Sequence, residues 1–504
     1  MLYIGIDLGT TYSVAAYVKS NGIPEVISDY HDTRDYRTPS VVHISDEGCY
    51  VGTALEEILE DEPDLPHSRF FKLQMGLKQG VYTDHLGREW WPQSLSALIL
   101  KKLIKDIDAY LHEDIAGAFI AVPANFNDAQ RRATKEAAQL AGLHNVKLIE
   151  EPVAAATFYG QSNQGKDTTL FVYDLGGGTF DATVLQVTDD GLYALATEGS
   201  NTLGGKHVDE LIMRFIEEDF QRQYGFTPSD ESSQMKLRRF ANEAKLKLAK
   251  PGKGRVNKTL VLGGKTIDFI LTKERFDELI EAFVDETLSV CQRCLESAGM
   301  DWGFMDTVMM VGGSALLPLV AEKLSKACGK PKDQLLCKQP HQAVAFGAAL
   351  LAEQQFTDAH GQSLQSICSY DLGIRVRDQQ GNPAVQALVT RNTPVPACAS
   401  TTFYTNRPDQ TRLIIEAVQQ REGDNGEMLD NSLGFFAFGI DTPRKNYPVE
   451  IELSYDLEGI VTVTARDPES GHEIRQIMDQ EAQAMDNTLL EQQAWVAATN
   501  VNHA

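Results

Sequence analysis

Basic residues are in short supply: 46 Lys and Arg stand against 71 Asp and Glu, a formal charge of −25. That balance disfavours nonspecific attachment to nucleic acid or an anionic membrane, so any nucleotide must be held by local structure. Long apolar runs are missing too, none approaching the roughly 18 residues that suggest a membrane helix. The opening residues, Met1 to Asp7, lack the basic start, long apolar core and small-residue cleavage site of a secretory signal. Cysteines number seven, an odd count scattered without a metal-type pairing, Cys291 and Cys294 coming closest. Such usage argues against a disulfide framework or a structural zinc, and points to a reducing, cytoplasmic setting.

What is present is enough apolar material for several cores. Of 504 residues, 42% are hydrophobic and 23% charged, which predicts at least two domains. Residues 1–355 alternate short β-rich runs, such as Phe119 to Val122 and Thr307 to Val311, with longer helical stretches, the rhythm of a layered α/β domain. Residues 356–368 turn polar and read as a linker. Residues 369–480 carry short alternating segments, Val449 to Leu453 and Ile460 to Thr464 among them, and predict a small all-β domain. Residues 481–504 form a tail, and a helix is expected from 476 to 496 with Met485, Leu489, Gln492 and Val496 at helical spacing.

One internal repeat bears on chemistry. Ile4-Gly5-Ile6-Asp7-Leu8-Gly9-Thr10-Thr11 returns as Val172-Tyr173-Asp174-Leu175-Gly176-Gly177-Gly178-Thr179, each on an apolar strand. The Asp ends the strand, and the small residues let a tight turn bring N–H groups close to anionic oxygens. An Asp so placed can hold hydrated Mg²⁺, the usual companion of a triphosphate. Neither turn has the form GxxxxGK[ST] or GxGxxG. A lone turn of this kind reads equally well as a glycine hairpin. The duplication, with a third turn at Val311-Gly312-Gly313-Ser314, favours two similar lobes around one ligand.

Three such turns in this order resemble the superfamily of actin, sugar kinases and 70-kDa chaperones. Longer runs choose the branch: Ile6 to Ser13, Val122-Pro123-Ala124-Asn125-Phe126-Asn127-Asp128-Ala129-Gln130-Arg131, Glu151 to Ala156, Tyr173 to Asp181 and Leu203-Gly204-Gly205. In spacing and order they resemble the 70-kDa heat-shock protein (DnaK-like) family. The resemblance implies an α/β fold with an actin-like ATPase domain of two duplicated lobes, then an all-β sandwich that binds peptide, then a short C-terminal helix.

Carried over residue by residue, it implies that Gly9, Thr10, Thr11, Tyr12, Gly177 and Gly178 line the phosphates of ATP or ADP. Asp7, Glu151 and Asp174 would surround Mg²⁺ through its waters, as hard cations prefer oxygen. Lys72 would position the attacking water and neutralise γ-phosphate charge, Thr179 would touch that phosphate, and Asp181 would help orient the water. Lys72 also reads as a surface lysine and Glu151 as a helix-start acid. Pro123 and Arg131 would relay nucleotide state between domains, although a proline there also simply ends a strand. Gly204, Gly205, Asn242, Lys245, Ala249, Gly312, Gly313, Ser314 and Leu316 would hold the nucleoside and diphosphate.

Departures cluster at the adenosine end, where the family's ribose acid is Asn242, its adenine-side serine Ala249 and its stacking arginine Leu316. Leucine offers neither cation–π nor guanidinium hydrogen bonds, which predicts weaker or looser base recognition. In the β domain Phe403, Leu413 and Ile415 take peptide-pocket positions, though alternating apolar residues are more often core, and Asn406 replaces the small apolar residue of the arch. The family's linker leucines are reduced to Ser363-Leu364-Gln365-Ser366, predicting weak or rewired coupling. Residues 481–504 are too few for the family's helical lid, so fast peptide exchange is expected.

The resemblance therefore implies a slow, Mg-dependent ATPase chaperone that binds apolar segments of unfolded proteins. Its partners would be a J-domain cochaperone, for which Lys147 takes a contact position, and a nucleotide exchange factor, with no nucleic acid and no membrane. The alternative is a nucleotide-dependent holdase or cochaperone with weak or uncoupled hydrolysis. A small-molecule kinase is disfavoured because it gives the β domain no role.

Overall fold

The computed structural model describes residues 1–31, 35–46, 48–161, 167–189, 191–357, 363–378, 380–422, 427–457, 459–478 and 487–501. The first repeat lies in a sheet ordered Val146–Glu150, Ile115–Val122, Leu2–Asp7, Tyr12–Val18, Pro24–Val26. The second lies in a sheet ordered Thr307–Val311, Thr168–Leu175, Phe180–Val187, Gly191–Ser200, Ser363–Gln365. In both, the strand carrying the Asp has a parallel neighbour on one side and an antiparallel hairpin partner on the other. These central strands are covered on both faces, which is why they read as unbroken apolar runs such as Phe119 to Val122.

Helix Ala343–Phe356 joins the two sheets. It is apolar around nearly its whole circumference, and its residues from Ala343 to Ala352 are buried, as expected of a helix packed on all sides. Two glycines set how close it comes. A Cβ on Gly5 would lie 2.0 Å from the backbone nitrogen of Ala349, and one on Gly347 would lie 1.7 Å from the carbonyl oxygen of Ala154. The helix thus touches strand Leu2–Asp7 on one side and helix Glu151–Gln161 on the other at backbone distance, which fixes the spacing of the two Asp-ended strands.

Beyond Phe356, the expected linker contributes a strand. Ser363–Gln365 adds in parallel to the edge of the second sheet, pairing Leu192 with Leu364. Main-chain pairing supplies this contact, so it needs only the one leucine that the segment carries. Two four-stranded antiparallel sheets follow, ordered Pro383–Val389, Asp371–Arg377, Arg412–Glu422, Met428–Gly439 and Ala397–Tyr404, Pro448–Tyr455, Val461–Arg466, Glu473–Ile477. Alternate residues such as Val461, Val463 and Ala465 enter a shared core with Leu372, Phe438 and Leu453.

The helix expected from residue 476 is displaced. Glu473–Ile477 is a strand paired with Val461–Arg466, and the helix is Asn487–Ala498. Cross-strand pairing at a sheet edge outweighs a weak helical stripe, and Met485 lies outside the described residues. Among the described residues, no helix is long and apolar enough to cross a membrane.

The glycine contacts give a direct test. Gly347→Ala gains about 1 kcal/mol of helix propensity, but its methyl group meets a carbonyl that cannot rotate away. The net expectation is a destabilisation of about 1–3 kcal/mol in urea unfolding. Gly439→Ala, with open space around its Cβ, should stay within about 0.5 kcal/mol of the parent.

Candidate functional site

The two Asp-ended strands aim their following turns at one cavity of about 710 Å³. Asp7, Gly9, Thr10, Thr11 and Tyr12 line it from the first sheet, and Asp174, Gly177 and Thr179 from the second. The third turn adds Gly312, Gly313 and Ser314, with Gly312 held at φ +83°, a conformation that favours glycine. Lys72 and Glu151 complete this end. Asn242, Lys245, Ala249 and Leu316 line the other end.

The turns meet at glycine distances. A Cβ on Gly177 would sit 2.1 Å from Oγ1 of Thr11, and one on Gly178 2.7 Å from Cγ2 of Thr10. A Cβ on Gly204 would lie 2.5 Å from the carbonyl carbon of Gly178, and one on Gly205 2.5 Å from Oγ of Ser314. Gly205 and Lys206 donate their N–H groups to the carbonyls of Gly176 and Gly177 at 3.0 and 2.7 Å, binding the start of helix Gly205–Tyr224 to the second turn. Gly178, Gly204 and Gly205 therefore shape the wall from behind and are not on the cavity lining.

Charge is concentrated at the turn end. Glu151, Asp174 and Asp181 are buried and Asp7 is half-buried. Lys72 is the buried cation among them, donating to Oε1 of Glu151 at 2.7 Å. Burial, reinforced by the Glu151 charge and opposed by Lys72, pushes Asp7 up to about 7. Burial and the same glutamate push Asp181 up to about 8 and hold Asp174 well above the usual carboxylate range. Oδ1 of Asp181 is buried with no hydrogen-bond partner. Too many acids for one lysine, and an orphaned oxygen among them, are what a hydrated divalent cation would relieve. Among the described residues no three His, Cys, Asp or Glu groups converge as direct metal ligands.

At the opposite end, Lys245 donates to the Gly205 carbonyl at 2.9 Å and pairs with Asp209 at 2.8 Å. Asn242 also hydrogen-bonds Asp209. Ala249, Leu246, Leu316 and Pro318 make this wall mostly apolar. Sequence reasoning missed Arg37, whose guanidinium lies 5.1 Å over the Tyr12 ring and pairs with Asp35, and His341, which packs behind Gly313. Both come from irregular segments with no motif, so no sequence signal marked them.

Other predicted residues lie apart from the cavity. Pro123 is buried at a strand end, its carbonyl accepting from the Phe126 N–H. Arg131 is buried between the Glu150 carboxylate, 3.0 Å away, and the Phe126 carbonyl, and a Cβ on Gly459 would lie 2.9 Å from its Cδ. Lys147 donates to Gln355 at 3.1 Å. In the C-terminal sheets Ile415 is buried, Phe403 and Leu413 are half-buried against the same core, and Asn406 is exposed.

Breaking the Arg131–Glu150 pair should be costly because it strands a buried carboxylate. Arg131→Ala is expected to lose about 3–5 kcal/mol of stability in denaturant titration, and Arg131→Met combined with Glu150→Met should recover most of it.

A family model described as Hsp70 protein matches residues 3–63 and 54–500. The match takes in all three glycine turns, Lys72, Glu151 and both C-terminal sheets. With nearly the whole length covered, the chain belongs to the Hsp70 family of ATP-dependent chaperones.

Proposed function

We propose that the chain hydrolyses ATP slowly with Mg²⁺ and uses the cycle to bind and release extended apolar segments of unfolded proteins. The observation that carries this reading is the convergence of three glycine turns and the Lys72–Glu151 pair on one cavity. Residues 1–355 act as an actin-like ATPase domain whose two lobes are built on the two Asp-bearing sheets. Residues 356–368 are the linker, 369–480 a peptide-binding β sandwich, and 481–504 a tail.

In this reading the turns at Thr10, Thr11 and Gly177 present backbone N–H groups and hydroxyls to phosphate oxygens, with Gly178 backing the second turn. Mg²⁺, when bound, would neutralise phosphate charge from a position held through water by Asp7, Glu151 and Asp174. Lys72, steadied by Glu151, orients water for attack on the γ-phosphorus as the bond to the β–γ bridging oxygen breaks. Thr179 supports the γ-phosphate and Asp181 the water. Asn242, Lys245, Ala249 and Leu316 hold the nucleoside with few directional contacts to the base.

Phe403, Leu413, Ile415 and Asn406 form the peptide site. Pro123 and Arg131 connect it to the nucleotide, Arg131 through its contact with the Gly459 turn. A J-domain cochaperone that contacts Lys147 and an exchange factor complete the cycle in the cytoplasm. The uncoupled holdase loses ground because Ser363–Gln365 pairs with the strand that also hydrogen-bonds the Asp181 strand.

Single-turnover hydrolysis tests the proposal. Lys72→Ala should lower the rate by at least about 100-fold while leaving nucleotide affinity within a few-fold, and a Leu-rich unstructured peptide should accelerate the parent. Peptide-independent hydrolysis would favour the holdase. In competition binding, GTP should displace a fluorescent ATP analogue within about tenfold of ATP, since the apolar wall of Leu246, Ala249 and Leu316 offers few directional contacts to a base edge.

A further inference from the structure

Phe70 and Phe71 stand at the start of the short 3-10 helix Phe71–Gln74, which carries Lys72. Phe71 is buried in the core of the first lobe. Phe70 is half-buried on the wall of a second cavity of about 410 Å³, which shares Thr10, Thr11, Tyr12, Arg37 and Asn242 with the nucleotide cavity. Two cations from helices packed on the second sheet stand over its ring. Nζ of Lys206, from helix Gly205–Tyr224, lies 5.6 Å from the ring centroid, and Cζ of Arg238, from helix Glu231–Leu248, lies 5.9 Å from it. Lys206 meets Glu210 at 3.5 Å, so its charge is not tied up in a tight pair.

The backbone at this point is strained. Phe70 takes φ +59°, a left-handed conformation that a bulky residue rarely adopts and that persists only where the surroundings hold it. Glycine or asparagine would take it more cheaply, so what phenylalanine supplies here is the ring. The turn closes on it: the Leu73 N–H donates to the Phe70 carbonyl and the Met75 N–H to the Lys72 carbonyl, each at 3.1 Å. A displacement of Phe70 is therefore passed to Lys72, whose Nζ reaches Glu151 at 2.7 Å. Lys206 closes the circuit, since its own N–H donates to the Gly177 carbonyl at 2.7 Å. One residue of the second lobe thus holds both the second glycine turn and the segment bearing Lys72. Contacts of Phe71 stay within one lobe, whereas those of Phe70 cross between lobes and must change when the lobes rotate.

We propose that Phe70 is a positioning residue through which closure of the two lobes sets Lys72. With the lobes together, Lys206 and Arg238 pin its ring, and the short helix holds Lys72 against Glu151. With the lobes apart, Lys72 loses that brace. This rests on the reading of Lys72 as the residue that orients the attacking water, but the brace itself can be measured without nucleotide.

Single-turnover hydrolysis gives the first test. Phe70→Gly, which keeps the left-handed backbone and removes the ring, should lower the rate by about tenfold while ATP affinity stays within a few-fold. Lys206→Gln combined with Arg238→Gln, which keeps the ring and removes both cations, should do the same, and Phe70→Trp, which keeps an aromatic face, should retain most of the rate. A parent-like rate in Phe70→Gly, or a loss in Phe70→Trp as large as in Phe70→Gly, would overturn the proposal. Hydrogen exchange without nucleotide gives the second test. The Leu73 and Met75 amides should exchange several-fold faster in the Lys206→Gln, Arg238→Gln protein than in the parent. Equal exchange would overturn the brace. A parent that hydrolyses no ATP would count against the proposed function, and the exchange result would then decide the brace alone.

Discussion

Around the cleft between the glycine turns the acids outnumber the bases in a place that water barely reaches. Glu151, Asp174 and Asp181 are buried with Lys72, and Asp7 stands at the cavity wall beside them. Left alone, such a cluster holds protons it would lose in water, which is why Asp7 is pushed up to about 7 and Asp181 up to about 8. The fold accepts this cost because the glycine turns force the acids together: Gly177 against Thr11, Gly178 against Thr10, Gly204 against Gly178. The same geometry leaves N–H groups facing inward, and a cluster of acids beside a cradle of N–H groups suits a metal–phosphate ligand better than either charge alone.

That cleft is connected to the C-terminal sheets through few and specific contacts. Asp181 pairs across the sheet with Gly199, whose neighbours Glu198 and Thr197 hold Arg391. The same strand accepts Ser363–Gln365 at its far end. From the first sheet, Glu150 holds Arg131 against the Gly459 turn, while the Asn125 carbonyl receives the Tyr370 hydroxyl. The two routes from the first sheet end beside the buried acids: Glu150 precedes Glu151, and the Asn125 backbone hydrogen-bonds Asp181. These contacts form a continuous physical path from the buried acids to the sandwich.

Much of this was readable in advance because it rests on local rules. The repeated Asp-Leu-Gly turns, the apolar strands before them and the alternating segments of the last third follow from glycine conformation and periodicity. The linker and the tail were harder. Ser363–Gln365 looks polar and unstructured because its stability comes from an edge strand some 170 residues earlier, Gly191–Ser200. Gln492 looked like one polar interruption of a weak stripe, yet it is the buried anchor of its helix, since its partners Glu89 and Trp91 are distant in sequence. Arg37 and His341 reach the cavity from irregular segments, where no pattern announces a site.

Coupling between the cleft and the sandwich is the central claim, and nucleotide-triggered peptide release measures it most directly. A labelled extended peptide is bound first, and Mg-ATP is then added in a stopped-flow instrument. The account predicts that ATP speeds dissociation by at least about tenfold over buffer alone, the size of a modest coupling free energy, and that ADP does not. Dissociation at the same rate with ATP, ADP and buffer would contradict it.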